Sequence, residues 1–241
     1  MSTYVLIHGA WHTGDLLQPV GEAIRAHGHT VHTPTIAGNR AGDSKEIGLE
    51  EATQSIIDYI HDNDLSDFIL MGHSYGGMII SKLADTMPEK IRRLVYWNAF
   101  VPHDGESLND MVPTFYVGMF DHICAEIGDG SVMLPYPVWR EAFINDADGE
   151  LARRAFDSLN AHPYKTFCDK ISLSMPLAER EIGKSYINCR QDTAMPHSYP
   201  WHPRLSERLG LFRLIEMDGS HEVCFTNPTL LAEKIIEAGE D

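Results

Sequence analysis

The chain has 241 residues, 43% of them hydrophobic and 22% charged, and a formal net charge of −16. That length suits one α/β domain with a sizeable core, and no apolar run reaches the ~18 residues of a membrane-spanning helix. Nucleic acid and anionic membranes are excluded as partners because both require a basic footprint.

Four cysteines, Cys124, Cys168, Cys189 and Cys224, form no CxxC pair, the usage of reduced thiols and not of a disulfide framework or zinc ribbon. The start, MSTYVLIHGAWH, enters an apolar run at once, with neither a basic n-region nor a long h-region. A cytoplasmic protein is expected.

In chain order, TYVLIH (3–8) predicts a buried strand, followed by the loop GAWHTG, a helix near 15–27 and a strand at HTVHTP. In LEEATQSIIDYIHDND, Leu49, Ala52, Ile56 and Ile60 share one face at helical spacing. DFILMG predicts a strand, YGGMIISKLADTM a helix and IRRLVYWNAF another strand. Between 103 and 183 the rhythm breaks: prolines interrupt it, aromatics and methionines accumulate, and two amphipathic helices are expected, PVWREAFINDAD and ELARRAFDSLNA. The alternation resumes with SYINC (185–189), a helix around 196–208, the strand LFRLIEM (211–217) and a last helix near 228–238. Strands alternating with helices predict an α/β fold, a mostly parallel sheet with helices on both faces. Residues 1–102 and 184–241 form the expected core, and 103–183 a mainly helical insertion.

Gly72-His73-Ser74-Tyr75-Gly76 fits G-x-S-x-G between a strand and a helix, the turn that projects a nucleophile from the end of a sheet. The serine takes a strained backbone, and the residues two before and two after it pass too close for side chains. A serine hydroxyl needs a base and an acid behind that base. His221, on the loop after the final strand, lies on the sheet edge where Ser74 also lies and is the expected base. Asp192, after SYINC, is the best-placed acid. Asp218 is too close to His221 in sequence to orient its ring, Asp169 falls in the insertion, and Asn98, at another strand end, lacks the charge. The backbone amides of Ala10 and Tyr75 can form an oxyanion hole. His8 and His12 are expected to tie the first loop down by hydrogen bonds.

No GxxxxGK[ST] is present and no GxGxxG follows the first strand, so a phosphate-cradling reading fails. His27, His29 and His32 have a spacing that superficially suits zinc. The run lacks the acidic residue such a cluster needs, and a solvated surface is expected there. No metal and no cofactor are expected.

Together, HGAWH, GHSYGG, NAFVP, Asp192 and the GSHE loop resemble the α/β-hydrolase superfamily, in particular the branch of plant methylesterases, hydroxynitrile lyases and small bacterial esterases. The resemblance implies an α/β-hydrolase fold with the insertion as a cap over the site. By motif it implies Ser74 as nucleophile, His221 as base, Asp192 as acid and the Ala10 and Tyr75 amides as oxyanion donors. The lyases carry a lysine directly after the catalytic histidine. Here Glu222 stands there, which removes the cation that a cyanide leaving group needs.

The expected function is a serine hydrolase acting on a small, mostly apolar or aromatic carboxylic ester, as a monomer or homodimer. His12, Phe115, Phe120 and Trp139 are the substrate-binding candidates. Carbamate esters or lactones are alternatives by the same chemistry. A cofactor-free oxygenase or lyase using the His–Asp pair is the alternative from another class.

Overall fold

Strand β1 (Thr3–Ile7) lies between β2 (Thr30–His32) and β3 (Phe68–His73) in the computed structural model, which describes residues 1–240. Further strands are β4 (Ile91–Trp97), β5 (Ser131–Val132), β6 (His162–Pro163), β7 (Gly183–Cys189) and β8 (Arg213–Met217). Six of them form one sheet in the order β2-β1-β3-β4-β7-β8, every pair parallel, while β5 and β6 make a separate antiparallel ribbon.

Successive side chains on a strand point to opposite faces, and here both faces are apolar. Val5, Ile7, Leu70 and Leu94 enter one core, and Tyr4, Leu6, Met71 and Val95 the other. The helices are α1 (Gln18–Ala26), α2 (Leu49–Asp62), α3 (Gly76–Thr86), α4 (Thr114–Ile127), α5 (Tyr136–Val138), α6 (Gly149–Asp157), α7 (Lys165–Cys168), α8 (Val223–Thr226) and α9 (Pro228–Gly239). α1 and α9 cover the second core, with Val20, Ile24, Leu231 and Ile235. α2 and α3 cover the first; Ala52, Ile56 and Ile60 pack inward as their spacing requires.

Residues 103–182 contribute no strand to the large sheet, and this segment is stitched where it leaves and returns. Gly105 N–H donates to Ile171 O (2.8 Å) and Ile171 N–H to Glu106 O (2.9 Å). It contains an unexpected fourteen-residue helix, α4. Pro113 sits just before its first turn, where a proline costs no helical hydrogen bond. Tyr116 and Phe120, one turn apart, are its buried face.

The helix expected around 196–208 does not form. Pro196, Pro200 and Pro203 each remove a donor and crowd the preceding turn, and the segment runs as turns until a short 3₁₀ turn at Ser206–Leu209. PVWREAF is also irregular, α5 passing into a π-turn at Trp139–Phe143.

The junction of β3 and α3 is the tightest point of the fold. Ser74 has φ +51°, a left-handed conformation that side-chain-bearing residues rarely adopt. A Cβ on Gly72 would lie 2.8 Å from Gly76 O, and one on Gly76 would lie 2.8 Å from Ile7 O. Gly77 lets α3 approach the segment after β4, since its Cβ would fall 2.1 Å from Phe100 O.

Two glycine substitutions in helices should therefore act in opposite directions. Gly77→Ala should cost about 3 kcal/mol or more. Gly118→Ala, in exposed α4 with open space around it, should stabilise by about 0.5–1 kcal/mol. Urea unfolding of the two variants checks both signs.

Candidate active site

The chain runs from β1 outward to β2, then returns to place β3 on the other side of β1. In parallel sheets ligands bind beyond the carboxyl ends of the strands at such a reversal. Ile7 pairs with Gly72, so the loops carrying Ala10 and Ser74 leave side by side. A Cβ on Gly9 would be 3.2 Å from Ser74 Cβ.

Ser74 is held in its strained conformation from both sides. Its N–H donates to Trp97 O (3.3 Å), and its carbonyl accepts from Gly77 N (3.0 Å) and Phe100 N (3.1 Å). The amides of Ala10 and Tyr75 have no acceptor among the described residues. The direction of the Ala10 amide is set indirectly. His8 Nδ1–H donates to Gly9 O at 2.8 Å, and in a planar trans peptide the N–H of Ala10 points opposite that carbonyl. His8 Nε2 accepts from Ile36 N–H at 3.0 Å, so the ring keeps one proton. Burial pushes its pKa down to about 3.

His221 and Asp192 come together as their strand ends require. His221 Nδ1–H donates to Asp192 Oδ2 at 2.6 Å, both side chains being buried. Burial alone would lower the pKa of His221, but the Asp192 carboxylate outweighs it and raises the ring above its ordinary 6.5. The ring is also fixed in tilt: Trp201 stacks on it at 5.1 Å and 13°, and Phe143 meets it edge-on at 5.3 Å. Its backbone carbonyl accepts from His73 Nε2–H at 3.0 Å, and His73 in turn stacks on Trp97 at 3.7 Å.

Asn98, set aside for its missing charge, is the residue that sequence reasoning missed. Its amide N–H donates to Asp192 Oδ2, while its Oδ1 accepts from Cys189 N at 2.7 Å. Asp192 Oδ1 accepts from Ala194 N at 2.8 Å. The carboxylate thus receives three donors and stays fixed behind the imidazole. Asn98 has φ +35°, a conformation asparagine tolerates better than most residues. The signal available was its place at the end of β4, beside β7.

Ser74 and His221 open into one cavity of about 390 Å³ including its mouth. Its walls combine core loops (Trp11, Phe100), the insertion (Leu108, Tyr116, Phe120, Phe167) and the loop after β7 (Met195, Trp201). The polar groups of two walls are already used: Trp11 Nε1–H donates to Val132 O (3.0 Å) and Tyr116 O–H to Ala194 O (2.8 Å).

Of the substrate-binding candidates, Phe120 lines the cavity. Phe115 does not: one position before Tyr116 on α4, it turns outward and is 59% exposed. Trp139 is fully buried, its Nε1–H donating to Ala152 O (3.1 Å), and it belongs to the packing of the insertion. His12 is buried behind the cavity, bonded to Ala10 O and Glu222. The cavity residues Trp11, Phe100 and Trp201 were not singled out, because loop aromatics have no periodicity that assigns them a face. His27, His29 and His32 turn to separate partners, Ala23 O, Ser2 N and Tyr59 Oη.

A six-stranded parallel sheet, a strained serine in a glycine-flanked strand-to-helix turn and a buried His–Asp pair at its rim define a class. The chain belongs to the alpha/beta hydrolase family, whose model matches residues 4–234. Among its relatives, a carbendazim hydrolyzing esterase of Nocardioides sp. (strain SG-4G) is 32% identical, over 99% of this chain and 100% of that one. Methylesterase 2 of Arabidopsis thaliana is 22% identical, over 99% of this chain and 96% of its own. The solved structure of an extracellular alpha/beta-hydrolase from a Paenibacillus species superposes with a TM-score of 0.96 at 36% identity, over 100% of both chains.

Asn98→Asp keeps size and backbone preference but replaces the N–H donor with a second carboxylate oxygen. It should lower kcat/KM roughly 10- to 100-fold, following the ~1.5–3 kcal/mol of a hydrogen bond to a charged group. Steady-state kinetics on a small aryl ester checks this, and an unchanged rate would detach Asn98 from the site.

Proposed function

We propose that the protein is a serine hydrolase that cleaves small, neutral, largely apolar carboxylic esters through an acyl-enzyme. The observation that carries the reading is the His221–Asp192 hydrogen bond of 2.6 Å behind a cavity that also exposes Ser74. The esterase names of the relatives from Nocardioides and Arabidopsis support the substrate class.

In this reading Ser74 Oγ attacks the ester carbonyl carbon while the free ring nitrogen of His221 takes its proton. Asp192 keeps the ring oriented and stabilises the imidazolium. The carbonyl oxygen, now negative, is met by the Ala10 and Tyr75 amides at the N-terminus of α3, where the helix dipole also favours an anion. The C–O bond to the alcohol breaks, and the alcohol leaves with the proton from His221. Water, deprotonated by His221, then attacks the acyl carbon, the bond to Ser74 Oγ breaks, Oγ takes that proton back from His221, and the acid is released. No step requires a cofactor. Residues 103–183 act as the cap, supplying the apolar wall that selects the substrate.

Carbamate esters and lactones present a carbonyl to Ser74 in the same way and fall within this chemistry. A lyase reading is disfavoured by charge: the position after His221 holds a carboxylate, Glu222, bonded to His12. It offers no cation to a departing cyanide.

Ser74→Ala should lower kcat on a small aryl ester by roughly 10⁴- to 10⁶-fold with the fold intact. An aryl phosphonate should add one covalent equivalent to the wild type and none to the variant by intact mass. Wild-type turnover by the variant would refute the proposal.

The pH dependence has a definite sign. The base must be unprotonated in the free enzyme, so kcat/KM should fall as pH drops through the raised pKa of His221. Half-maximal activity should lie above pH 6.5, the ring's ordinary value. Removing the raising charge with Asp192→Asn should move that limb to lower pH while reducing the rate. A pH–rate profile of both proteins measures it.

A further inference from the structure

His12 and Glu222 lie 210 positions apart in sequence yet meet behind the active site, with side chains 1% and 2% exposed. His12 Nδ1 lies 2.7 Å from Ala10 O, and Nε2 lies 2.9 Å from Glu222 Oε2. A backbone carbonyl can only accept, so Nδ1 bears a proton. The carboxylate at Nε2 then holds or shares a second one. His8 differs, because one of its nitrogens accepts from Ile36 N–H. The two rings fix consecutive peptides of one loop: His8 holds Gly9 O and His12 holds Ala10 O.

The far end of this linkage is the loop of the base. Glu222 follows His221 directly, and its own N–H donates to Phe143 O at 3.2 Å. The His12 ring packs among His73, Trp139 and Phe225, and Cys224 Sγ lies 3.8 Å from the same carboxylate oxygen. This shielding protects the pair from solvent screening.

We infer that His12 and Glu222 are positioning residues: a buried clasp that locks the Ala10 oxyanion donor in register with His221. Residue 10 is thereby held relative to the base by one imidazole and one carboxylate, with no contact to substrate. The inference rests on the serine-hydrolase reading above, in which the Ala10 amide receives the developing oxyanion. An oxyanion donor acts on the transition state far more than on the bound ester. Loosening the clasp therefore lowers kcat and leaves KM nearly unchanged.

The test uses the full chain with 4-nitrophenyl acetate as substrate and phenylboronic acid as a tetrahedral anionic probe. Glu222→Ala should lower kcat about 10- to 100-fold, keep KM within about twofold and weaken boronate binding in proportion to kcat. Glu222→Gln, whose amide still bonds His12, should recover kcat to within about threefold, since the pair acts by hydrogen bonding. The double variant His12→Phe/Glu222→Leu buries no lone charge and so should fold even if Glu222→Ala does not. It should show the same loss in kcat.

A folded double variant with wild-type kcat and boronate affinity overturns the clasp, as does Glu222→Gln as impaired as Glu222→Ala. A loss carried by KM, or by melting temperature alone, overturns it too. Each of these leaves the hydrolase reading intact provided Ser74→Ala is inactive. Wild-type turnover by Ser74→Ala overturns both.

Discussion

The chain cannot enter α3 from β3 without passing through a left-handed residue, and that residue is Ser74. The conformation costs of order 1–3 kcal/mol and persists only where surroundings enforce it. Here the enforcement is local and double: the Ser74 carbonyl is gripped by Gly77 and Phe100, and the glycines around it let three backbones approach within contact distance. A hydroxyl results that cannot fold back into the sheet. The loop after β1 is pressed against it, and the loops after β4, β7 and β8 close the ring around it.

Around that hydroxyl the protein sorts its buried histidines by their partners. His221 faces a carboxylate and is made more basic, while His8 and His73 are depressed chiefly by burial and serve as neutral ties. His12 has burial opposing it and Glu222 outweighing burial, so it too is raised. Chemically identical side chains thus become the carboxylate-backed ring at the cavity, two neutral struts and one half of an ion pair. The deciding variable is whether a carboxylate faces the ring to outweigh its burial.

The alternation of strands and helices, the amphipathic α2, the elbow at Ser74 and the pairing of Asp192 with His221 are legible in the sequence. Each rests on a local pattern or on the rule that parallel strands present their carboxyl ends together. What escaped notice depends on contacts between distant segments. Asn98 lacks a charge, and its place comes from an N–H aimed at a loop 94 positions away. Trp139 and Phe115 looked like pocket residues because they are aromatic and in the insertion, but one faces inward to packing and the other outward to water. α4 was hidden by the proline before it, although Tyr116 and Phe120 already stood one turn apart. In 196–208 the expected helix gives way to turns because Pro196, Pro200 and Pro203 interrupt it.

The apolar lining of the cavity bears on the end of a catalytic cycle as much as on its beginning. In the proposed reaction an uncharged ester becomes a carboxylate, and the apolar walls return to that anion little of the hydration it has in water. The Asp192 carboxylate behind the wall makes its stay less favourable still. In that reaction the surfaces that admit the ester also disfavour the acid it leaves behind.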